Sequence, residues 1–204
     1  MKLSIIIVSY NSANYLRTCL SSIYRELNHD KNLHKSTEII VVDNASQDNS
    51  IGLIKERFSQ AILIVNKQNL GFAKANNQGI MKAQGKFLLL LNPDLELGNK
   101  SLSQILDVIE KNPNVGVTGC KLINSDGSIQ PSSGYFPNLG RILLWMTFID
   151  DIPFLSHLLK PYHVESKSFY SQEQKVDWVT GACMLVRSDA VVKAGIMDEQ
   201  IFMY

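Results

Sequence analysis

Two acids stand where a sequence can most easily place chemistry, directly behind runs of core-type residues. Asp43 follows Ile39, Ile40, Val41 and Val42; Asp94 follows the apolar run 87–91 and the pair Asn92-Pro93. A carboxylate held on a rigid strand end can accept a hydrogen bond from the N–H of a base or the hydroxyl of a ribose. Asp43 equally suits a cap for the turn Asn44-Ala45-Ser46 behind it, and both readings stand. Asp94, with Glu96 two residues further on, offers hard oxygen to Mg²⁺ or Mn²⁺, ions that usually also hold substrate phosphates. Its alternative is a turn acid beside Pro93. Either acid alone says little, and two at matching ends of neighbouring strands say more.

The elements that would carry them alternate in type. Residues 3–8 read as a buried strand, and Leu16, Leu20, Ile23 and Leu27 then share one face of a helix that Ser12 or Asn14 could cap. A polar connection over 29–36 leads to a second strand at 38–42. Ile51, Ile54 and Phe58 have helical spacing, 62–65 is a third strand, and Gly71 opens a helix over 72–83 that Gly85 ends. The run 87–91 is apolar throughout, as in strands buried on both faces. Alternation of this kind predicts an α/β fold: a mostly parallel, Rossmann-like central sheet with helices on both faces. Ligands of such sheets sit at the carboxyl ends of the strands, which here present Ser9-Tyr10-Asn11, Asp43-Asn44, residues 66–71 and Asn92-Pro93-Asp94.

Beyond Asp94 the pattern loosens. Leu102, Ile105, Leu106 and Ile109 fall on a helix that Asn112-Pro113 stops, 115–118 resembles a strand, and Asn124-Ser125-Asp126-Gly127 is a hairpin turn. Residues 131–175 are irregular. Strand-like composition returns over 176–186, interrupted by Gly181, and 189–194 suits a short helix. The expected organisation is one domain, with a regular alternating core over 1–130 and a smaller, irregular region over 131–204.

Composition excludes several classes. With 204 residues, 45% hydrophobic, and twenty Lys and Arg against nineteen Asp and Glu, the chain can bury a core but carries a net charge of only +1. No field of one sign awaits a nucleic acid. The apolar runs are too short for the roughly 18 residues of a membrane span, and no secretory leader is expected, so a cytoplasmic location is. Cys19, Cys120 and Cys183 are widely spaced, and the four histidines lack metal-ligand spacing. Neither Gly-x-Gly-x-x-Gly nor a Walker motif follows the first strand, which disfavours dehydrogenases and ATPases. A hydrolase using Asp150-Asp151 is weak, since adjacent acids point in different directions.

Four segments in register, SIIIVSYNSANYLRTCL (4–20), EIIVVDNASQDNS (38–50), NLGFAKANNQG (69–79) and FLLLLNPDLEL (87–97), resemble the family 2 glycosyltransferases of GT-A fold. The subgroup resembled includes rhamnosyltransferase-like enzymes of bacterial surface-polysaccharide synthesis. A later stretch, Trp178-Val179-Thr180-Gly181-Ala182 through GIMDEQIFMY, is similar to that subgroup's acceptor side. The resemblance implies an inverting transfer from a nucleoside-diphosphate sugar to a glycan or lipid-linked acceptor. It implies that the Val8-Ser9-Tyr10 backbone and Asp43 hold the nucleotide with Asn76 nearby. Asn92-Pro93-Asp94 takes the place of the Asp-x-Asp metal motif, with Asp94 as the main carboxylate for Mg²⁺ or Mn²⁺.

Trp178, Gly181 and Ala182 are expected to shape the acceptor side, Trp178 as a stacking ring or a structural one. The family's Glu-Asp base motif is expected just past Tyr204, so no catalytic base is assigned. Asp198 and Glu199 read as a turn or surface pair, and a nucleotide-sugar-binding protein without turnover is the alternative. The apolar patch from Ile142 to Ile149, with Trp145 and Phe148, reads as packing surface or as a peripheral contact with the inner face of a membrane.

Overall fold

A computed structural model describes residues 1–147, 164 and 168–202. In chain order the elements are β1 (Leu3–Ser9), α1 (Ala13–His29), α2 (Lys31–Lys35), β2 (Thr37–Asp43), α3 (Ser50–Arg57), β3 (Ile62–Val65), α4 (Phe72–Lys82), β4 (Phe87–Leu91), α5 (Ser101–Lys111) and β5 (Val117–Gly119). Then follow β6 (Leu122–Ile123), β7 (Ile129–Gln130), β8 (Ser133–Gly134), α6 (Leu139–Met146), a 3₁₀ turn at Phe169–Ser171, β9 (Trp178–Val179), β10 (Cys183–Arg187) and α7 (Ser188–Ala194). They divide into two compact units, Met1–Thr118 with Gly181–Tyr204, and Gly119–Thr180. The boundary expected near residue 130 therefore falls inside the second unit, and the chain returns to the first at Gly181. It returns because β10 completes the first unit's sheet.

That sheet has the order β3-β2-β1-β4-β10-β5. β1 lies parallel to β2, from Leu3 opposite Thr37 to Ser9 opposite Asp43, and parallel to β4, from Leu3 opposite Phe87 to Ile6 opposite Leu90. β10 is antiparallel to β4, with Cys183 opposite Leu91. The chain winds outward from β1 through β2 to β3 and then crosses back to β4 on the other side of β1. The reversal point therefore lies between β1 and β4, which is where open sheets of this kind bind ligands.

Even-numbered side chains of the central strands, Ile6, Ile40, Val42, Leu88 and Leu90, form one buried layer with Ala75 of α4. Odd-numbered ones, Ile5, Ile7, Val41 and Leu89, are equally buried, as are Leu16, Leu20, Ile23 and Leu27 along one face of α1. Helix α4 lies so close to the sheet that a Cβ at Gly79 would collide with Cγ2 of Ile6. The polar connection expected over 29–36 instead holds the short α2. Asp30 nucleates it by accepting hydrogen bonds from the N–H groups of Asn32 and Leu33 at 2.9 and 3.0 Å.

In the second unit, β6 and β7 form the hairpin across Asn124–Gly127, and β8 pairs with β9. The Tyr170 hydroxyl accepts from Ser132 N at 2.9 Å and donates to Val164 O at 2.9 Å. Helix α6 buries none of its residues, and Leu139, Leu143 and Met146 are exposed. Phe148, Ile149, Asp150 and Asp151 lie outside the described residues.

Candidate functional site

The carboxyl ends of β1 and β2 are level, because Ser9 pairs with Asp43. Asp43 is fully buried, yet its two oxygens have different fates. Oδ1 accepts the N–H of Ser46 at 2.9 Å, which is the turn-capping role. Oδ2 has no partner. An unpaired oxygen on a buried carboxylate is costly and calls for a partner that the chain itself does not supply among the described residues. The capping reading of Asp43 is therefore met by Oδ1, and Oδ2 is left over from it.

The loops behind β1 and β2 are laced together. Asn11 N donates to Ser46 Oγ at 2.9 Å, and Gln47 N donates to Asn11 Oδ1 at 2.7 Å. Asn11 and Ala45 both sit at positive φ, 49° and 70°, conformations that cost non-glycine residues about 1–3 kcal/mol and persist only where surroundings hold them. The start of α1 is capped across this lacing: Asp48 Oδ2 accepts Ala13 N at 2.9 Å. Ser12 makes no capping bond, and its hydroxyl contacts Ser9 Oγ at 2.9 Å instead. Asp48 Oδ1 also accepts the N–H and hydroxyl of Ser50, so one carboxylate ties two helix starts together. Desolvation pushes the Asp48 carboxyl up, but these hydrogen bonds outweigh it and hold the group below its ordinary value.

Asn44 is the hub of the next layer. Its Nδ2 donates to Asn69 Oδ1 at 2.7 Å, and its Oδ1 accepts from Leu70 N at 3.0 Å and Asn66 Nδ2 at 3.1 Å. Asn66 and Gln78 exchange amide bonds of 2.8 and 3.0 Å. The network fixes the loop from β3 into α4 beside Asp43. The sequence signal was present in four amides at 44, 66, 69 and 78, but only the fold brings them together. Asn76, expected near the nucleotide, is buried in α4 with its Nδ2 on its own helix's Phe72 O at 3.0 Å. Its neighbour Asn77 grips the main chain of Met197, donating to its carbonyl at 2.8 Å and accepting its N–H at 3.0 Å.

On the far side of β1, β4 ends at Asn92-Pro93-Asp94. Asn92 N donates to Ala182 O at 2.8 Å, so the start of β10 buttresses this turn. Beside it, Gly181 lets the Phe72 ring approach: a Cβ there would stand 3.3 Å from Phe72 Cζ. Asp94 is exposed and makes no hydrogen bond or ion pair among the described residues. Glu96, by contrast, is held by Arg25 at 3.3 Å. Cys19 lies behind the turn with its Sγ 3.7 Å from Asn92 O. Burial, with the Asp94 charge adding, pushes its thiol up to about 12, so it stays neutral.

No cluster of three or more His, Cys, Asp or Glu occurs among the described residues. The donors at β4 are therefore oxygen alone: one open carboxylate and the Asn92 amide. That set suits a hard divalent ion whose remaining ligands come from a diphosphate. Tyr10, half exposed, follows Ser9 at the end of β1. Trp178 belongs to the second unit, where its Nε1 donates to Tyr135 O at 3.2 Å.

The mostly parallel sheet with helices packed on it, which reverses between β1 and β4, is the α/β architecture of the GT-A fold. The chain belongs to glycosyl transferase family 2, whose family model matches residues 4–188. A similar protein is the N-acetylglucosaminyl-diphospho-decaprenol L-rhamnosyltransferase of Mycobacterium tuberculosis, 25% identical over 99% of this chain and 66% of that protein. The dolichyl-phosphate beta-glucosyltransferase of Dictyostelium discoideum is 32% identical over 61% of this chain and 42% of its own. Among solved structures, residues 1–349 of Staphylococcus aureus TarS superpose with a TM-score of 0.64 at 18% identity, over 98% of this chain and 51% of that one. The Pyrobaculum calidifontis mannosyltransferase PcManGT, in complex with GDP-Man and Mn²⁺, gives 0.66 at 16% identity, over 98% and 48%. The chain thus spans half to two-thirds of the length of these fuller matches.

Proposed function

We propose that this chain carries the donor-binding part of an inverting glycosyltransferase that moves a sugar from a nucleoside diphosphate to a glycan or lipid-linked acceptor in cell-surface polysaccharide synthesis. The observation that carries the reading is the buried, unpaired Asp43 Oδ2 at the sheet's ligand edge. It supplies an acceptor for a base N–H, while the Val8-Ser9-Tyr10 backbone, pinned to β2 by Asn44 N on Ser9 O at 2.7 Å, lines the same edge. Asp94, with Asn92 beside it, would hold Mg²⁺ or Mn²⁺. A divalent ion so bound neutralises charge on the departing diphosphate and lowers the barrier to leaving. Similarity to a mycobacterial rhamnosyltransferase named for a lipid-linked acceptor supports a rhamnosyl-type donor and such an acceptor.

Asp198 and Glu199 are not the base in this reading. Asp198 caps Gln200 N at 3.0 Å, and Glu199 is bound by Asn77 at 3.2 Å and faces Lys74 at 3.8 Å. Trp178, Gly181 and Ala182 belong to the acceptor side. The exposed α6 gives the acceptor's lipid end a surface to approach. Among the described residues, no helix is long and apolar enough to cross a membrane.

Calorimetry with UDP, dTDP and GDP, each with Mn²⁺ and with chelator, tests the reading together with transfer assays on the corresponding sugars. One nucleotide binds, and Asp43→Ala loses it. Binding without transfer selects the turnover-free alternative for this chain, and no binding by any of the three refutes the proposal.

A further inference from the structure

Asp94 lies in a connection, residues 92–100, whose internal hydrogen bonding is sparse: Leu95 N to Asn92 O and Ser101 N to Gly98 O, both 3.3 Å. Its other anchors come largely from one face of α1. Cys19 Sγ reaches Asn92 O. Ser22 Oγ accepts Leu97 N at 3.0 Å while donating to Cys19 O at 2.7 Å. Arg25 Nη2 donates to Leu97 O at 3.0 Å and holds Glu96. Glu26, only 7% exposed, accepts Lys100 N at 2.9 Å. Positions 19, 22, 25 and 26 recur at helical spacing, so one rigid helix grips the connection from the Asn92 turn to its far end.

Two features exceed what a plain connection needs. Lys100 is a non-glycine residue in the left-handed region, φ 63°, although Gly98 stands two places earlier. Such a conformation persists where its surroundings over-determine it, and here the buried Glu26 carboxylate does so. The grip is also selective: Arg25 takes Glu96 out of play and leaves Asp94 open. We propose that Ser22, Arg25 and Glu26 are positioning residues for Asp94, setting where its carboxylate meets the metal–diphosphate. The inference rests on the assignment of Asp94 as the metal carboxylate.

The test uses Mn²⁺ affinity, read by electron paramagnetic resonance at saturating nucleotide (whichever of UDP, dTDP or GDP binds), beside nucleotide affinity in chelator. Glu26→Met, which keeps the length of the side chain but removes the acceptor of Lys100 N, lowers Mn²⁺ affinity about tenfold, the low end for residues that orient a ligand from outside. It leaves metal-free nucleotide affinity unchanged, and Asp94→Ala gives the full loss of Mn²⁺. Adding Lys100→Gly to Glu26→Met restores Mn²⁺ affinity, because glycine adopts the left-handed conformation without the carboxylate's help.

Folding is checked by melting. If Glu26→Met fails to fold, Arg25→Ala, at a half-exposed side chain, must lower Mn²⁺ affinity in the same selective way. Unchanged Mn²⁺ affinity in a folded Glu26→Met or Arg25→Ala protein, or an equal loss of metal-free nucleotide binding, overturns the inference. A parent chain that binds nucleotide identically with Mn²⁺ and with chelator, or an Asp94→Ala variant that keeps Mn²⁺, refutes the Asp94 assignment itself and the inference with it.

Discussion

Asp43→Asn separates ligand binding from folding because the two respond in opposite directions. Asparagine keeps Oδ1 in place to accept Ser46 N, now 2.9 Å away, so the turn survives. What changes is the second position, where an unpaired acceptor oxygen becomes an N–H₂ donor. In the free protein this removes a desolvated charge and leaves an unpaired neutral amide, which costs less to bury. Stability should rise by about 1 kcal/mol, or about 2–4 °C in melting temperature for a chain of this size.

In the complex, a donor would face the donor of the base. The lost hydrogen bond to a charged group is worth about 1.5–3 kcal/mol, a roughly 10- to 150-fold weaker nucleotide affinity. Calorimetry in chelator isolates this effect from any metal contribution, and a thermal melt without nucleotide reads the stability. Asp43→Asn that melts lower and binds nucleotide as tightly as the parent would refute the reasoning, for the carboxylate would then serve the fold alone.

Four further outcomes follow from the geometry. Asp48→Ala frees the starts of α1 and α3 and should cost about 1 kcal/mol at neutral pH; because the folded carboxyl lies below its ordinary value of 3.8, the stability it provides is complete above that value and disappears as pH falls through the folded one, so the melting difference from the parent must shrink in acid. Arg187 bonds the carbonyls of Ile109 and Asn112 at the end of α5 and that of Val115, and Arg187→Met should lower stability by about 2 kcal/mol in denaturant titration without changing nucleotide affinity. The Cys19 thiol should resist iodoacetamide at pH 8 in the native protein and react only after unfolding, as mass spectrometry of the alkylated peptide will read. Flotation with anionic liposomes should depend on Leu143 and Met146 of α6, and a parent chain that does not float removes the membrane contact altogether.

The alternation of β-branched runs with amphipathic stretches made β1 to β4 and the helices between them legible, since a strand buried on both faces has few other ways to be written. The antiparallel placement of β10 was not legible: residues 176–186 announce a strand but not the partner it will pair with. The return of the chain to the first unit at Gly181 was hidden for the same reason, because a late segment that joins an early sheet is a long-range event without a local signal. At the site, the positions of Asp43 and Asp94 followed from strand ends. The cap supplied to α1 by Asp48 rather than by Ser12 depends on loops 35 residues apart in sequence that meet only in the fold.

The two acids are prepared in different ways, and the difference bears on the order of events. Asp43 is fully buried, with Asn11 and Ala45 held at positive φ in the loops around it, so in the proposed site a base would meet its unpaired oxygen only after displacing what covers it. Asp94 is exposed and presents one carboxylate, too few ligands to retain a hard divalent ion without added oxygens from a diphosphate. In the proposed site Asp94 would hold the ion only together with diphosphate oxygens, which favours nucleotide and metal binding as a pair. Metal affinity should accordingly be weak in the free chain and rise when nucleotide is present, whereas nucleotide affinity in chelator should be reduced but measurable. Tight Mn²⁺ binding to the nucleotide-free chain would contradict that order.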